Sequence, residues 1–327
     1  MRIGKTLKST VVATLAGLGL AACSGSSPVA TTTGQGTSDV ITLRVASNSN
    51  ATVLPFWVAQ AKGMFPKHKL DVKYTKIENV ATLPPALGKS FDIVLSTPTL
   101  VISSNSQGIP IQWVAGSSVD SKASPASFLM VKKDSGITDV TQLRGKTIGV
   151  LNETGTLHTA TMYWLKKSGV EPSSVKVVQV DGPAQADQLR SGRVQAVETV
   201  TPFSGQVQKL GGGVSLGTPY RAMADTIAPI MWAAQTSWAQ KNGEAITRFV
   251  AALDEAKQYI GSDDAGARAV LKKQTGYPDS VVAALTFPQF DTSTRPQDVE
   301  LWLQAMRAAT GFKGNVDVST LVYRPTA

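Results

Sequence analysis

The feature that most constrains the fold is the alternation of short apolar runs with helical patterns from Ile41 to Gln235. The runs ITLRVA (41–46), LDVKY (70–74), FDIVL (91–95) and IQWVA (111–115) have strand length and the apolar density of strands covered on both faces. A helix is predicted over 54–62, ended at Gly63. The series then repeats. SFLMVK (127–132), KTIGV (146–150), VKVVQV (175–180) and VQAV (194–197) read as strands, with a helix over 156–167 stopped at Gly169. The run 227–235 reads as a strand returning to the first unit. Strands alternating with helices demand crossover connections and parallel sheets, so the fold class is α/β. The last third reads as helical over 245–260, 264–273 and 297–309, where apolar residues recur at helical spacing.

One pattern occurs twice. Leu87-Gly88 leads into FDIVL and then Thr97-Pro98; Leu189 to Gly192 leads into VQAVETV and then Thr201-Pro202. Each is a helix end, a glycine turn, a buried strand and a Thr-Pro at the strand exit. The pair predicts two lobes of related topology, against the alternative of ordinary α/β punctuation.

The N-terminus has a different character. Arg2, Lys5 and Lys8 precede an uncharged run of 14 residues from Ser9 to Ala22, followed by Cys23, the single cysteine of the 327 residues. A basic start, a short apolar stretch and small residues before a cut make a signal peptide, and 14 residues fall short of the roughly 20 that span a bilayer. Leu20-Ala21-Ala22-Cys23 resembles the bacterial lipobox, which implies that the Cys23 thiol takes a lipid as a thioether. A plain signal peptide with a chance cysteine is the alternative. Residues 24–38, SGSSPVATTTGQGTS, carry no charge and no large apolar side chain, a composition that does not repay ordering and is expected to act as a tether.

Composition removes several classes. Loss of residues 1–22 removes three positive charges and no acid, taking the formal charge from +9 to +6. That excess favours an anionic membrane surface, but the longest basic run is Lys-Lys, so no nucleic-acid footprint is expected. Beyond Cys23 no cysteine remains for a disulfide, a thiolate metal site or a nucleophile, and His68 and His158 are too few for most histidine zinc sites. No metal and no cofactor is expected. No nucleophile elbow, P-loop or HExxH motif occurs, so catalysis has little support.

SNSNATVLPFWVA (47–59), AKGMF (61–65), LDV (70–72), ALG (86–88) with FDI (91–93), QGIP (107–110), DVTQLRGKTIGV (139–150), Gly155-Thr156 and LRSGRVQAV (189–197) together resemble one family. It is that of the nitrate/sulfonate/taurine-type substrate-binding proteins of bacterial ABC importers, over about Val40 to Pro202 and less distinctly to the end. The resemblance implies two Rossmann-like α/β lobes joined by two crossover strands, the type II periplasmic-binding-protein arrangement, with a ligand in the cleft between them. The crossings are expected near 124–128 and 227–231. The expected organisation is a leader over 1–22, a tether over 23–38, a first lobe from 39–126 and 231–327, and a second from 127–230. It further implies a monomer that binds a small-molecule solute, meets ABC permease and ATPase subunits, and stays at the extracytoplasmic face of the cell membrane through the Cys23 lipid. Enzyme relatives that make a thiamine pyrimidine precursor carry a cysteine-rich motif that this chain lacks, so their activity is not carried over.

In open α/β sheets ligands gather beyond the carboxyl ends of the strands. That rule selects Ser47, Asn48 and Asn50; Thr97 and Thr99; Ser117; Asn152, Glu153, Thr154, Gly155 and Thr156; and Glu198 and Thr199. Short hydroxyls and amides beside helix starts suit a small anion, and the same residues also serve as helix caps. Glu153 and Glu198, if they face the cleft, favour an amine on the ligand or a hydrogen-bonding heterocycle such as a pyrimidine; if they face solvent they carry no information. Phe56 and Trp57 either cover an apolar ligand or belong to the core, and one of the two is expected at the cleft. A tethered enzyme or a sensor module using the same cleft stands as the alternative to import.

Overall fold

A computed structural model describes residues 39–324. The leader, Cys23 and the tether lie outside the described residues. Among the described residues, eleven strands form: β1 (Ile41–Ser47), β2 (Leu70–Lys76), β3 (Ile93–Ser96), β4 (Ile111–Ser121), β5 (Ser127–Lys132), β6 (Thr147–Val150), β7 (Lys176–Gln179), β8 (Ala196–Val200), β9 (Gly213–Gly217), β10 (Thr226–Gln235) and β11 (Gln289–Phe290). They make two mixed sheets, ordered β11-β4-β10-β3-β1-β2 and β7-β6-β8-β5-β9.

The two sheets repeat one plan. β2, β1 and β3 are parallel neighbours, as are β7, β6 and β8. In each case the third of these strands pairs antiparallel with one that has just crossed from the other sheet, β10 beside β3 and β5 beside β8. The helices after the two Thr-Pro exits also correspond: Pro98–Ser106 and Phe203–Gly211 have nine residues each.

Both sheets are covered on both faces, which explains their continuous apolar runs. Along β3, Ile93 and Leu95 enter one core while Val94 enters another. Along β5, Leu129 and Val131 enter one core and Met130 the other. The helix Leu54–Ala61 is buried along 54–59, so it offers no apolar face to a ligand. The Phe56 ring sits among Phe65, Tyr74 and Trp232 with centroids 5.2, 5.2 and 5.3 Å away, and Trp57 is equally inaccessible. The expectation of one ring at the cleft is therefore corrected: both belong to the core. One close approach demands glycine. A Cβ at Gly116, in β4, would stand 2.1 Å from the Asp291 carbonyl, where the segment after β11 lies against the strand.

Two segments connect the sheets. The first, 122–126, follows β4 and overlaps the expected crossing. The second, 218–225, precedes β10, which pairs with β4 from Thr226, within one residue of the returning strand read over 227–235.

Candidate functional site

A cavity of about 810 Å³ opens between the two lobes. The first lobe contributes the turn after β1 (Asn50 to Thr52), Thr97 at the exit of β3, the end of β4 and the segment 280–288. The second contributes Phe128, Thr156, the exit of β8 from Val200 to Pro202, and the helix Phe203–Gly211 through Ser204, Gln206, Lys209 and Leu210. Ala123 to Ala126 and Tyr220, from the two crossings, close the remaining wall.

Local chemistry fixes the polar part. Asn50 accepts the Thr52 N–H at 2.9 Å and donates to Asn48 Oδ1 at 2.7 Å, so the turn is wound around its amide. Ser117 donates to the Thr52 carbonyl at 2.7 Å and thereby ties that turn to β4. Thr97 caps its helix by accepting the Leu100 N–H at 3.2 Å. The helix Thr156–Lys167 begins at Gly155 without a side-chain cap, and the helix Phe203–Gly211 begins at Pro202 likewise. First-turn N–H groups at both starts therefore lack a capping side chain, beside a cavity that Thr156 and Ser204 line. Helix starts of this kind attract negative charge.

The lobes also touch beside the cavity. The Thr99 hydroxyl donates to the Thr154 carbonyl at 3.4 Å, and the Thr156 hydroxyl lies 3.2 Å from the Tyr220 hydroxyl. Burial pushes the Tyr220 phenol upward from its ordinary pKa, so it stays protonated. Below them, Asp120 at the end of β4 pairs with Arg221 of the return crossing, and its other oxygen accepts the Ala126 N–H at 2.9 Å and the Ser127 hydroxyl at 3.2 Å. One carboxylate thus grips both crossing segments.

Of the residues selected from sequence, Asn50, Thr97 and Thr156 line the cavity. Others stand one layer behind: Asn48 and Ser117 hold the Asn50 turn, and Thr99 holds Thr154. Ser47 is buried, with its hydroxyl 3.2 Å from the Tyr74 hydroxyl. Asn152 and Glu153 are exposed, and the Asn152 side chain accepts the Thr154 N–H at 2.8 Å, a local turn rather than a wall. Thr154 presents its carbonyl to Thr99, and Gly155 is a cap. Glu198 turns away from the cavity to His158, with Oε1 3.0 Å from Nδ1, and Thr199 is fully buried with its hydroxyl unpaired. Their strand is buried from Ala196 to Thr199, so both side chains are absorbed by packing. His68 pairs with Glu255 away from the cleft.

Several lining residues escaped the strand-end rule. Thr201 was within reach, because the repeated Thr-Pro marks it as the counterpart of Thr97. Tyr220 sits in the short turn Pro219–Ala222 before β10, away from any strand exit. Phe128, Leu210 and the segment 280–288 approach from strand and helix sides that carry no local signal. Among the described residues, no group of three histidine, cysteine or acidic side chains could hold a metal ion, and no helix is long and apolar enough to cross a membrane.

Known proteins share this architecture. The periplasmic aliphatic sulphonate binding protein SsuA of Escherichia coli superposes with a TM-score of 0.74 at 19% identity, covering 87% of this chain and 92% of SsuA. The taurine-binding periplasmic protein of E. coli is 26% identical over 260 residues, 76% of this chain and 78% of that protein. The 4-amino-5-hydroxymethyl-2-methylpyrimidine phosphate synthase THI13 of Saccharomyces cerevisiae is 23% identical over 223 residues, and the match spans only 64% of its length. The NMT1/THI5 like family model matches residues 50–267, most of the chain. With two mixed sheets of common plan, a cleft between them and that match, the chain belongs to the NMT1/THI5-like family.

Proposed function

We propose that the protein is an extracytoplasmic solute-binding lipoprotein that closes over a small anionic or zwitterionic solute and delivers it to an ABC permease. The observation that carries this reading is the convergence of strand exits from both sheets on one cavity, where two helices start without side-chain caps. Closure is driven by ligand only to the extent that contacts from both lobes form together. The cross-lobe pair Thr99–Thr154, and the pair of Thr156 with Tyr220 of the return crossing, are the kind of contact that closure assembles. The likeness to sulphonate- and taurine-binding proteins supports the solute class. The reading makes the protein a receptor rather than an enzyme, working as a monomer held to the membrane by a lipid on Cys23.

Thermal-shift titration of residues 39–327 with sulfonates, taurine, nitrate, bicarbonate and pyrimidines tests it. A binding solute raises the melting temperature in a concentration-dependent way, since a ligand at 100 times its Kd stabilises by about 2.7 kcal/mol. Thr97→Val and Thr156→Val should each weaken the active solute by roughly tenfold, the loss of a hydrogen bond to a charged group. A panel without any shift, or variants that bind unchanged, would refute the reading. Recovery of the solute unaltered separates a receptor from an enzyme.

A further inference from the structure

We infer that the solute carries an apolar body of at least one ring in size, attached to a compact anionic head, and that Leu210 is a residue that selects for it. This rests on the solute-binding reading above and narrows it. Size is the first reason. At about 810 Å³ the cavity has room for roughly two dozen waters, using the ~30 Å³ that each occupies in the liquid. It falls in the range of sites that bury drug-sized molecules, whereas nitrate or taurine would leave most of it wet.

The character of the lining is the second reason. Phe128, Leu210, Ile230, Val281 and Leu285 come from both lobes to one cavity. Leu210 is 61% exposed, on the same helix turn as Lys209. At that place in the cavity lining, the Leu210 side chain has apolar area that a ligand's apolar body would remove from water. The segment carrying Val281 and Leu285 is anchored beside the first crossing, where Ser124 donates to the Phe287 carbonyl at 3.4 Å. An apolar body in the cavity would be covered from both sides.

Charge supplies the third reason. Among the described residues, Asp120 is the one acid in the lining and is neutralised by Arg221, while Lys209 is the one basic side chain. Lys209 stands in the last turn of its helix and shares the cavity lining with the two uncapped helix starts, a set that suits one negative charge, not two. An amine on the ligand finds no free carboxylate, because Glu198 is committed to His158.

Isothermal titration of the mature protein with ethanesulfonate, taurine, nitrate, benzenesulfonate and naphthalene-2-sulfonate decides the matter. The expected result is at least tenfold tighter binding of a ring-bearing sulfonate than of ethanesulfonate, and a fall of that ratio to threefold or less in Leu210→Ser. Leu210 is exposed, so the variant should melt as the parent does. Ethanesulfonate, taurine or nitrate binding as tightly as the ring compounds would overturn the inference while leaving the solute-binding reading intact. A ratio unchanged in Leu210→Ser would overturn the role given to that residue. Absence of binding by every anion would overturn both.

Discussion

Asp120→Ala is expected to cost about 3 kcal/mol of stability, the lower end of what breaking a buried ion pair costs, because Arg221 keeps 22% of its side chain exposed. Asp120 is 1% exposed and serves three partners at once: Arg221 on the return crossing, and the Ala126 N–H and Ser127 hydroxyl at the end of the outgoing one. Removal leaves Arg221 Nη2 and the Ala126 N–H without their acceptor, while Arg221 Nη1 keeps the Asp225 carbonyl. It also removes one of the ties between the two connecting segments, leaving the Lys122 N–H on the Asp225 carbonyl at 3.3 Å, so the ligand-free variant should adopt a wider spread of lobe separations. Urea unfolding reads the first effect and small-angle scattering the second. An unfolding midpoint equal to the parent's would show that the β4–β10 ladder and the Lys122–Asp225 backbone bond hold the connection without Asp120.

Glu198→Gln is expected to lower stability by about 2–3 kcal/mol at neutral and mildly acidic pH, the value of a hydrogen bond to a charged group. His158 and Glu198 form a buried pair under the helix Thr156–Lys167. Burial by itself lowers the imidazole pKa; the hydrogen bond to Glu198 and the charges of Glu198 and Glu153 outweigh it and raise the pKa above its ordinary 6.5. The charged imidazolium is thus favoured in the folded state. Its contribution is complete below about pH 6.5 and is lost as pH rises through the higher folded value. The melting temperature of the parent should therefore fall on the alkaline side of 6.5, and that slope should flatten in Glu198→Gln. A slope identical in both proteins would remove the pair from the account.

The fold was legible wherever packing imposes a period. The helix over 156–167 and the strand over 127–132 match their expected bounds, because each carries apolar residues at one unambiguous spacing. The edge strand Gly213–Gly217 was not expected; three of its five residues are glycine or serine and it contributes little to a core. The returning strand read over 227–235 falls within one residue of β10, while 218–225 before it has no apolar run to mark it. The site was legible in part for a related reason. Strand exits are visible in sequence, so Asn50, Thr97 and Thr156 could be named. The direction of a side chain within a fully buried strand or helix is not visible, so Phe56, Trp57, Glu198 and Thr199 could not be assigned to cavity or core. Residues 280–288 reach the cavity only through the tertiary arrangement of the last third of the chain.

The position of β10 between β3 and β4 bears on how the polypeptide assembles during synthesis. The five-stranded sheet has all its strands once Gly217 has emerged, and it is contiguous in sequence from Ser127. The six-stranded sheet is still divided at that moment, with β1 to β3 on one side and β4 on the other, because the strand that joins them begins at Thr226. The later segment of the gene therefore completes the earlier lobe. Domains form as units and in order of emergence, so the inserted lobe is the one that can close first, and the lobe that starts the chain waits for a strand from beyond it.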